Sequence, residues 1–389
     1  MGSLDFRLPR ISAPVELIFL GTGTSSSIPH VDCLTAPPGA KPCRTCLSTL
    51  TPEGKKNIRR NTSAVFRTRG KDGQDVTIVV DVGKSFQPAA VEWFPKYGLR
   101  RIDAVLITHG HADAMNGLDD LRGWTLHGAI QPYIDLYVSM ATFKEIQRAF
   151  PYLVSKEFAS GGGDVPEFKW HIIEDRVPFE IGDTGVQVTP FAVHHGRIFS
   201  TAPPLDLSIT PYSLSPASTN ASTPDVPGTP VRLAATIPTE PTKQIHPLLC
   251  FGFVIQDAVT YISDVSHIPD DVWAMLQSRE TVPPVLVLDC LRLLPHTSHL
   301  SVTESIAVAR RTNAKRTYLL GFSHELPHED YVIIGEAAAG NECKRSDLTL
   351  IEEYKLEEIR EGLPLWVRPA FDGLRVFVSE NDDVRDEAY

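Results

Sequence analysis

The segment Thr108-His109-Gly110-His111-Ala112-Asp113 sets two imidazoles one residue apart, with a carboxylate two residues further on. At a strand end such a pair can converge on one cation, and the carboxylate can reach the same small volume. Hydrolytic metal chemistry needs that convergence, because the ion takes neutral nitrogen and anionic oxygen ligands with one position left open for water. A histidine pair alone is ordinary; three later stretches add to it. Val193-His194-His195-Gly196 follows an apolar run and offers a third imidazole. Either histidine could serve, and the freer backbone before glycine favours His195. Asp264 ends Thr260-Tyr261-Ile262-Ser263, although an aspartate there could equally cap a turn ahead of Ile268-Pro269. The last stretch is Gly321-Phe322-Ser323-His324, with His328 four residues on.

A second donor set lies near the start. Cys33, Cys43 and Cys46 are spaced C-x₉-C-x₂-C, and thiolates so spaced in a reducing compartment suit a tetrahedral zinc lacking only a fourth ligand. The alternative is a free-thiol loop in which Cys33 lies too far from the other two. Cys250, Cys290 and Cys343 read as buried or incidental.

The elements that must position these groups follow from apolar patterning. Glu16 to Leu20, Val76 to Val82 and Ala104 to Thr108 are short apolar runs ending in polar turns, as buried strands do. Further strands are expected at Val186 to Phe191, Phe251 to Ile255, Thr260 to Ser263, Val285 to Asp289 and Thr317 to Leu320. Apolar positions three and four apart predict helices over Ala114 to Leu126, Thr142 to Phe150, Pro269 to Gln277 and Val302 to Thr312. Strands in clusters with helices between them imply an α/β fold with covered sheets.

The chain has 389 residues, enough for one large α/β domain with insertions. An N-terminal extension over 1–15 precedes a domain over 16–375, and an acidic tail over 376–389 is expected to fray from Glu380. Between about 200 and 246 Pro, Ser and Thr dominate, which predicts a mobile insertion between two strands. Net charge is −11, which disfavours nucleic acid as a partner; Lys55, Lys56, Arg59 and Arg60 form a short basic cluster that reads as a solvated loop. Six cysteines are too few for a disulfide framework. With no stretch resembling a signal peptide, the expected location is cytoplasmic, the nucleus included. No run approaches the roughly 20 apolar residues that cross a bilayer, so no membrane partner is expected.

In these motifs the chain resembles the metallo-β-lactamase superfamily, whose HxHxD motif stands at a strand end and is followed by His, Asp and His ligands in that order. The resemblance is closest to the branch of the phosphoribosyl cyclic phosphate phosphodiesterase and the tRNA 3′-processing endonuclease. Leu20-Gly21-Thr22-Gly23-Thr24, the cysteine loop, Arg59-Arg60-Asn61-Thr62-Ser63, Phe251-Gly252-Phe253, Ser263-Asp264 and Leu288-Asp289-Cys290 carry it, in order from about residue 16 to about 330. It implies a four-layer αββα metallo-β-lactamase sandwich. It also implies a catalytic Zn²⁺ or Mn²⁺, with Fe²⁺ a further candidate, on His109, His111, His195 and Asp264. His324 would complete a structural zinc with the three cysteines, and His299 would serve the phosphate or its leaving group.

The chain departs from the binuclear pattern at two points. Ala114 and Gly321 stand where histidines serve a second metal, while every ligand of the first is present. The expectation is therefore one firmly held ion, with Asp113, otherwise a ligand, acting as base; His328, Asp119 or Asp120 could fill in for a second ion. The implied activity is hydrolysis of a small or cyclic phosphodiester, so the expected partner is a phosphorylated small molecule, with a homodimer left open. The alternatives are a thioester or lactone hydrolase on the same fold, or a metal-binding protein without turnover.

Overall fold

Period-two alternation along the strands decides the layering. A computed structural model of the chain describes residues 13–159, 164–200, 244–279, 281–342 and 356–389. In β1 (Val15–Gly21), Leu17 and Phe19 enter one core while Ile18 enters another on the opposite face. The same split runs through β2 (Ser63–Arg69), β3 (Asp75–Val80), β4 (Ala104–Ile107) and β5 (Ile134–Val138), while β6 (Phe168–Ile172) packs Phe168 and Trp170 on the outer side alone. The second sheet holds β7 (Phe179–Glu180), β8 (Gln187–Ser200), β9 (Gln244–Ile255), β10 (Val259–Ile262), β11 (Val285–Asp289), β12 (Arg316–Leu320) and β13 (Val367–Pro369). Finally β14 (Arg375–Val378) and β15 (Val384–Asp386) return to the first sheet, whose order is β15-β14-β1-β2-β3-β4-β5-β6.

Between the sheets lie Leu17, Phe19, Phe66, Ile78 and Leu106 from the first and Phe253, Tyr261, Val287, Tyr318 and Leu320 from the second. Outside the first sheet, the helix Phe86–Lys96 buries Phe86, Ala90, Trp93 and Phe94 over Ile18, Val79 and Val105. Outside the second, the helices Asp270–Gln277, Val302–Thr312 and His328–Ala338 cover Leu286, Leu288 and Leu319. Helix, sheet, sheet and helix thus stack as the expected αββα sandwich. The helix Val302–Thr312 starts in a capping box between Ser301 and Glu304 and stops at Asn313 in the left-handed region, the termini its sequence encodes.

β3 to β6 pair in parallel, as do β10 to β13. Their carboxyl ends therefore point the same way within each sheet, where open α/β folds gather ligand-binding loops.

Four expectations are corrected. The helix expected over Ala114 to Leu126 is broken into short turns, Ala112–Met115, Leu118–Leu121 and Arg122–Thr125. At the break, Gly117 donates its N–H to Val82 O, and a Cβ there would meet Gly83 O at 2.4 Å. The tail does not fray: β14 and β15 pair with each other, and Asp386 accepts hydrogen bonds from Arg316 and from the Tyr318 hydroxyl. Asp386 and Glu387 thus find partners across the fold, Glu387 on Arg375. Arg59 is not part of a solvated loop either. It is 1% exposed, donates to Ser323 O, Leu326 O and Asn57 Oδ1, and lies over the rings of Phe322 and Tyr331. The fourth correction concerns His328 and is given with the site.

The expected Pro/Ser/Thr-rich insertion falls almost wholly outside the described residues, as does Cys343. Residues 197–247 form a unit apart from the sandwich, which comprises 1–196 and 248–389. No described helix is long and apolar enough to cross a membrane.

Candidate metal centre

The end of β4 delivers His109 and His111, and β8 delivers His195. The three ring centroids lie 4.6, 5.0 and 5.1 Å apart, each pair edge to face. Two of the three rings have their outward nitrogen occupied. His195 Nδ1 lies 2.8 Å from Ser298 O, a carbonyl that can only accept, so this nitrogen carries the proton and Nε2 keeps its lone pair. His109 Nδ1 lies 2.8 Å from the Thr108 hydroxyl. That hydroxyl donates its single proton to Asp81 Oδ2 at 2.8 Å, so it accepts from His109. His109 Nε2 is then an unprotonated nitrogen, buried and without a protein partner.

Burial pushes His109 down to about 3, and burial and His195 push His111 down, so both rings are neutral donors near pH 7. Asp264 follows β10 and is 8% exposed. Burial alone would raise it, but His109, His195 and His299 together hold it down to about 2. A carboxylate of lowered pKa thus stands beside the His109 and His111 rings, whose own pKa values are lowered. The ligand atoms of His109, His111 and His195 lie within 4.8 Å of one another; Asp264 lies as close to His109 and Cys250, and to His195 and His299. A buried nitrogen without a partner is what a divalent cation would satisfy. The donor set fits the metal the fold implies.

His194, the alternative to His195, instead exchanges backbone hydrogen bonds with Ser266 and His267, and its ring packs against His267.

His299 adjoins the cluster, its ring 4.7 Å from that of His195. Its Nδ1 lies 3.0 Å from Asp289 Oδ2, a carboxylate with no exposure at the end of β11. Burial would lower this imidazole, but Asp289, then Asp264, raise it to about 9. It is more basic than an ordinary imidazole, whereas His109 and His111 are less so. Asp113 is half-buried, and burial and Asp264 raise its carboxyl.

His328 does not reach this cluster. It is 3% exposed and its Nε2 meets the Tyr389 hydroxyl at 2.8 Å, a contact made by the tail that was expected to fray. Asp119 pairs with Arg122 at 2.5 Å. Among the described residues neither these two nor Asp120 joins any group able to hold an ion.

The cysteine loop forms the second donor set. Cys33, Cys43 and Cys46 bring their sulfurs to 3.2, 3.6 and 3.6 Å from His324 Nδ1. Tetrahedral zinc with Zn–S near 2.3 Å and Zn–N near 2.0 Å sets S···N edges of about 3.5 Å. The four donors are therefore spaced as such an ion requires, and the long gap from Cys33 to Cys43 is taken up without displacing Cys33.

Four groups at the centre were not singled out from the sequence as supports: Asp81, Thr108, Cys250 and Ser298. Asp81 ends a β-branched strand as Asp264 does, and that signal was available. Cys250 Sγ, buried as expected, lies 3.7 Å from His109 Nδ1.

Two facing sheets with imidazoles and a carboxylate at their strand ends define the metallo-β-lactamase fold. The chain belongs to the beta-lactamase superfamily, whose domain matches residues 77–210 and 212–322, more than half of its length. A diphosphatase from the PhnP family is similar in fold over 93% of this chain and 96% of that one, at 23% identity and a TM-score of 0.56. The short form of human tRNase Z matches 79% of this chain and 93% of its own at 16% identity, with a TM-score of 0.41. An octanoyltransferase of Porphyromonas gingivalis is 31% identical over 185 residues, 47% of this chain. The chain spans only about a third of that relative, 32% of its length.

Proposed function

We propose that the chain is a metal-dependent phosphodiesterase acting on a small or cyclic phosphodiester. One catalytic ion, Zn²⁺, Mn²⁺ or Fe²⁺, is held by His109, His111, His195 and Asp264, and Cys33, Cys43, Cys46 and His324 hold a structural zinc. The observation that carries the reading is the His299–Asp289 pair beside the three imidazoles. A phosphodiester expels an alkoxide, which needs a proton as it leaves, whereas a thioester expels a thiolate that departs without one. A protonated imidazole fixed by a buried carboxylate is the acid the former reaction requires.

When bound, the ion supplies Lewis acidity, lowering the pKa of water and polarising a phosphoryl oxygen. The remaining work falls to side chains. His299 attracts the anionic phosphoryl group and gives a proton to the leaving oxygen. Asp113 takes the proton of the attacking water; its raised carboxyl makes it a better base than an exposed aspartate. Ser298 O and Thr108 hold His195 and His109 in the tautomers that direct Nε2 at the ion.

The test is turnover of bis(p-nitrophenyl) phosphate beside a thioester, with Zn²⁺, Mn²⁺ and Fe²⁺ supplied in turn. Hydrolysis of the diester supports the reading. Thioester hydrolysis without it, or turnover of neither, overturns it.

A further inference from the structure

A second donor set stands beside the cysteine cage and shares a residue with it. His30, Asp32 and Cys33 place their ligand atoms within 4.8 Å of one another. The His30 ring stacks on His324, the rings 27° from parallel and their centroids 4.0 Å apart. The His30 backbone N–H donates to Cys46 Sγ at 3.4 Å, tying this segment to the innermost thiol. His30 Nδ1 lies 3.8 Å from Asp32 Oδ1, and the Asp32 side chain is 80% exposed. Cys46, in contrast, is fully buried. The donors therefore run from water inward: an exposed carboxylate, a half-buried imidazole, the shared thiol of Cys33, then the cage.

We propose that His30, Asp32 and Cys33 form the entry site through which zinc reaches the cage, an inference that rests on the cage holding zinc. Three ligands, one each of nitrogen, oxygen and sulfur, leave the fourth position to water, the mark of an exchangeable site rather than a closed one. Asp32 draws the cation from solvent. Cys33 loses its thiol proton to water, and its sulfur stays bonded to the ion throughout the transfer. His324, Cys43 and Cys46 then replace His30, Asp32 and water, with the two further thiol protons also passing to solvent. No oxidation state changes. Because release retraces the same steps, the site governs the rates of loading and release alike and leaves the affinity unaltered.

A purely structural role for His30, packing against His324, makes a different prediction. His30→Phe keeps a ring against His324 and removes the donor nitrogen; Asp32→Asn removes the charge. The experiment uses metal-loaded protein in a His111→Ala background, so that the cage metal alone is read. Zinc content is measured first by elemental analysis. Release into excess chromophoric chelator is then followed, together with exchange of bound zinc against isotopically labelled zinc. Both variants should keep one zinc per chain with unchanged affinity, while release and exchange both slow, and by the same factor. Wild-type rates in His30→Phe overturn the entry site, and so does a loss of zinc content in that variant, which would make His30 a permanent ligand. Absence of zinc from the cage before any His30 or Asp32 change overturns the cage reading instead, a separate outcome.

Discussion

The Thr108 hydroxyl joins the buried Asp81 carboxylate to the His109 ring, and Thr108→Val removes that link with little change of shape. Thr108 and Asp81 are each 1% exposed. Asp81 Oδ1 keeps the Thr108 N–H at 2.8 Å, but Oδ2 loses the hydroxyl at 2.8 Å. A buried acceptor left without its donor costs about 1–3 kcal/mol of folding stability. His109 Nδ1 loses its acceptor as well, and Cys250 Sγ at 3.7 Å is a weak substitute. Losing such an outer partner lowers metal affinity about 10–100-fold, or about 1.4–2.7 kcal/mol. Urea unfolding of metal-free protein reads the first quantity. Chelator competition for the catalytic ion reads the second, with cage zinc as an internal control. Thr108→Ser should restore both. If Thr108→Val lost stability but bound the ion as tightly as wild type, the hydroxyl would serve only the fold, and the tautomer argument for His109 would be wrong.

Three further outcomes follow from the same geometry. Elemental analysis of metal-loaded protein should find one catalytic ion and one cage zinc per chain. His111→Ala should lose the first and Cys46→Ser the second, and a second catalytic ion would refute the one-ion arrangement. His299→Gln should cut hydrolysis of an alkyl phosphodiester about 10²–10⁴-fold and that of a p-nitrophenyl diester far less, since nitrophenolate leaves unaided. Equal losses would show that His299 is not the acid. Burial raises the Asp372 carboxyl to about 7, outweighing the Arg60 N–H and Thr22 bonds that it accepts. Between the unfolded value of about 3.9 and that point, the native state holds the proton more tightly than the unfolded chain. Stability should therefore fall as pH rises through this window and level off above it. Unfolding of wild type and Asp372→Asn at pH 5 and pH 8 checks this, and the variant should lose less stability, or gain more, than wild type between the two.

What the sequence disclosed, and what it hid, divides along contact distance. Strand ends were legible because a run such as Ala104 to Thr108 is apolar until the chain must turn, and His109 and His111 sit at that turn. His195 was separable from His194 by the glycine after it, which adopts φ +76°. The helix Phe86–Lys96 went unread because Pro88 and Pro95 interrupt its pattern, although Phe86, Ala90, Trp93 and Phe94 lie on its buried face. β2 was masked by Arg67 and Arg69, whose charges end on Glu16 and beside Asp75. The tail looked solvated because its acids find Arg316, Arg375 and Tyr318 only in the folded chain. Ser298 supports His195 from 103 residues away through a backbone carbonyl, which no side-chain motif records.

Ala114 and Gly321, the two departures from the binuclear pattern, have different physical standing. Ala114 is 2% exposed, and its carbonyl accepts the Val82 N–H at 2.8 Å, so its backbone is held under the first sheet. Gly321 adopts φ +79°, and a Cβ there would lie 2.6 Å from Asp289 Oδ1. A side chain at 321 and the Asp289 carboxylate, where it now sits, exclude one another. That carboxylate is also the group on which His299 Nδ1 rests. In this backbone, the glycine at 321 and the placement of the His299 ring are therefore linked through Asp289. Restoring a histidine at 321 would place a non-glycine residue in the left-handed region, at about 1–2 kcal/mol, and would push Asp289 from His299. A side chain at 321 would therefore disturb the carboxylate on which the His299 ring rests.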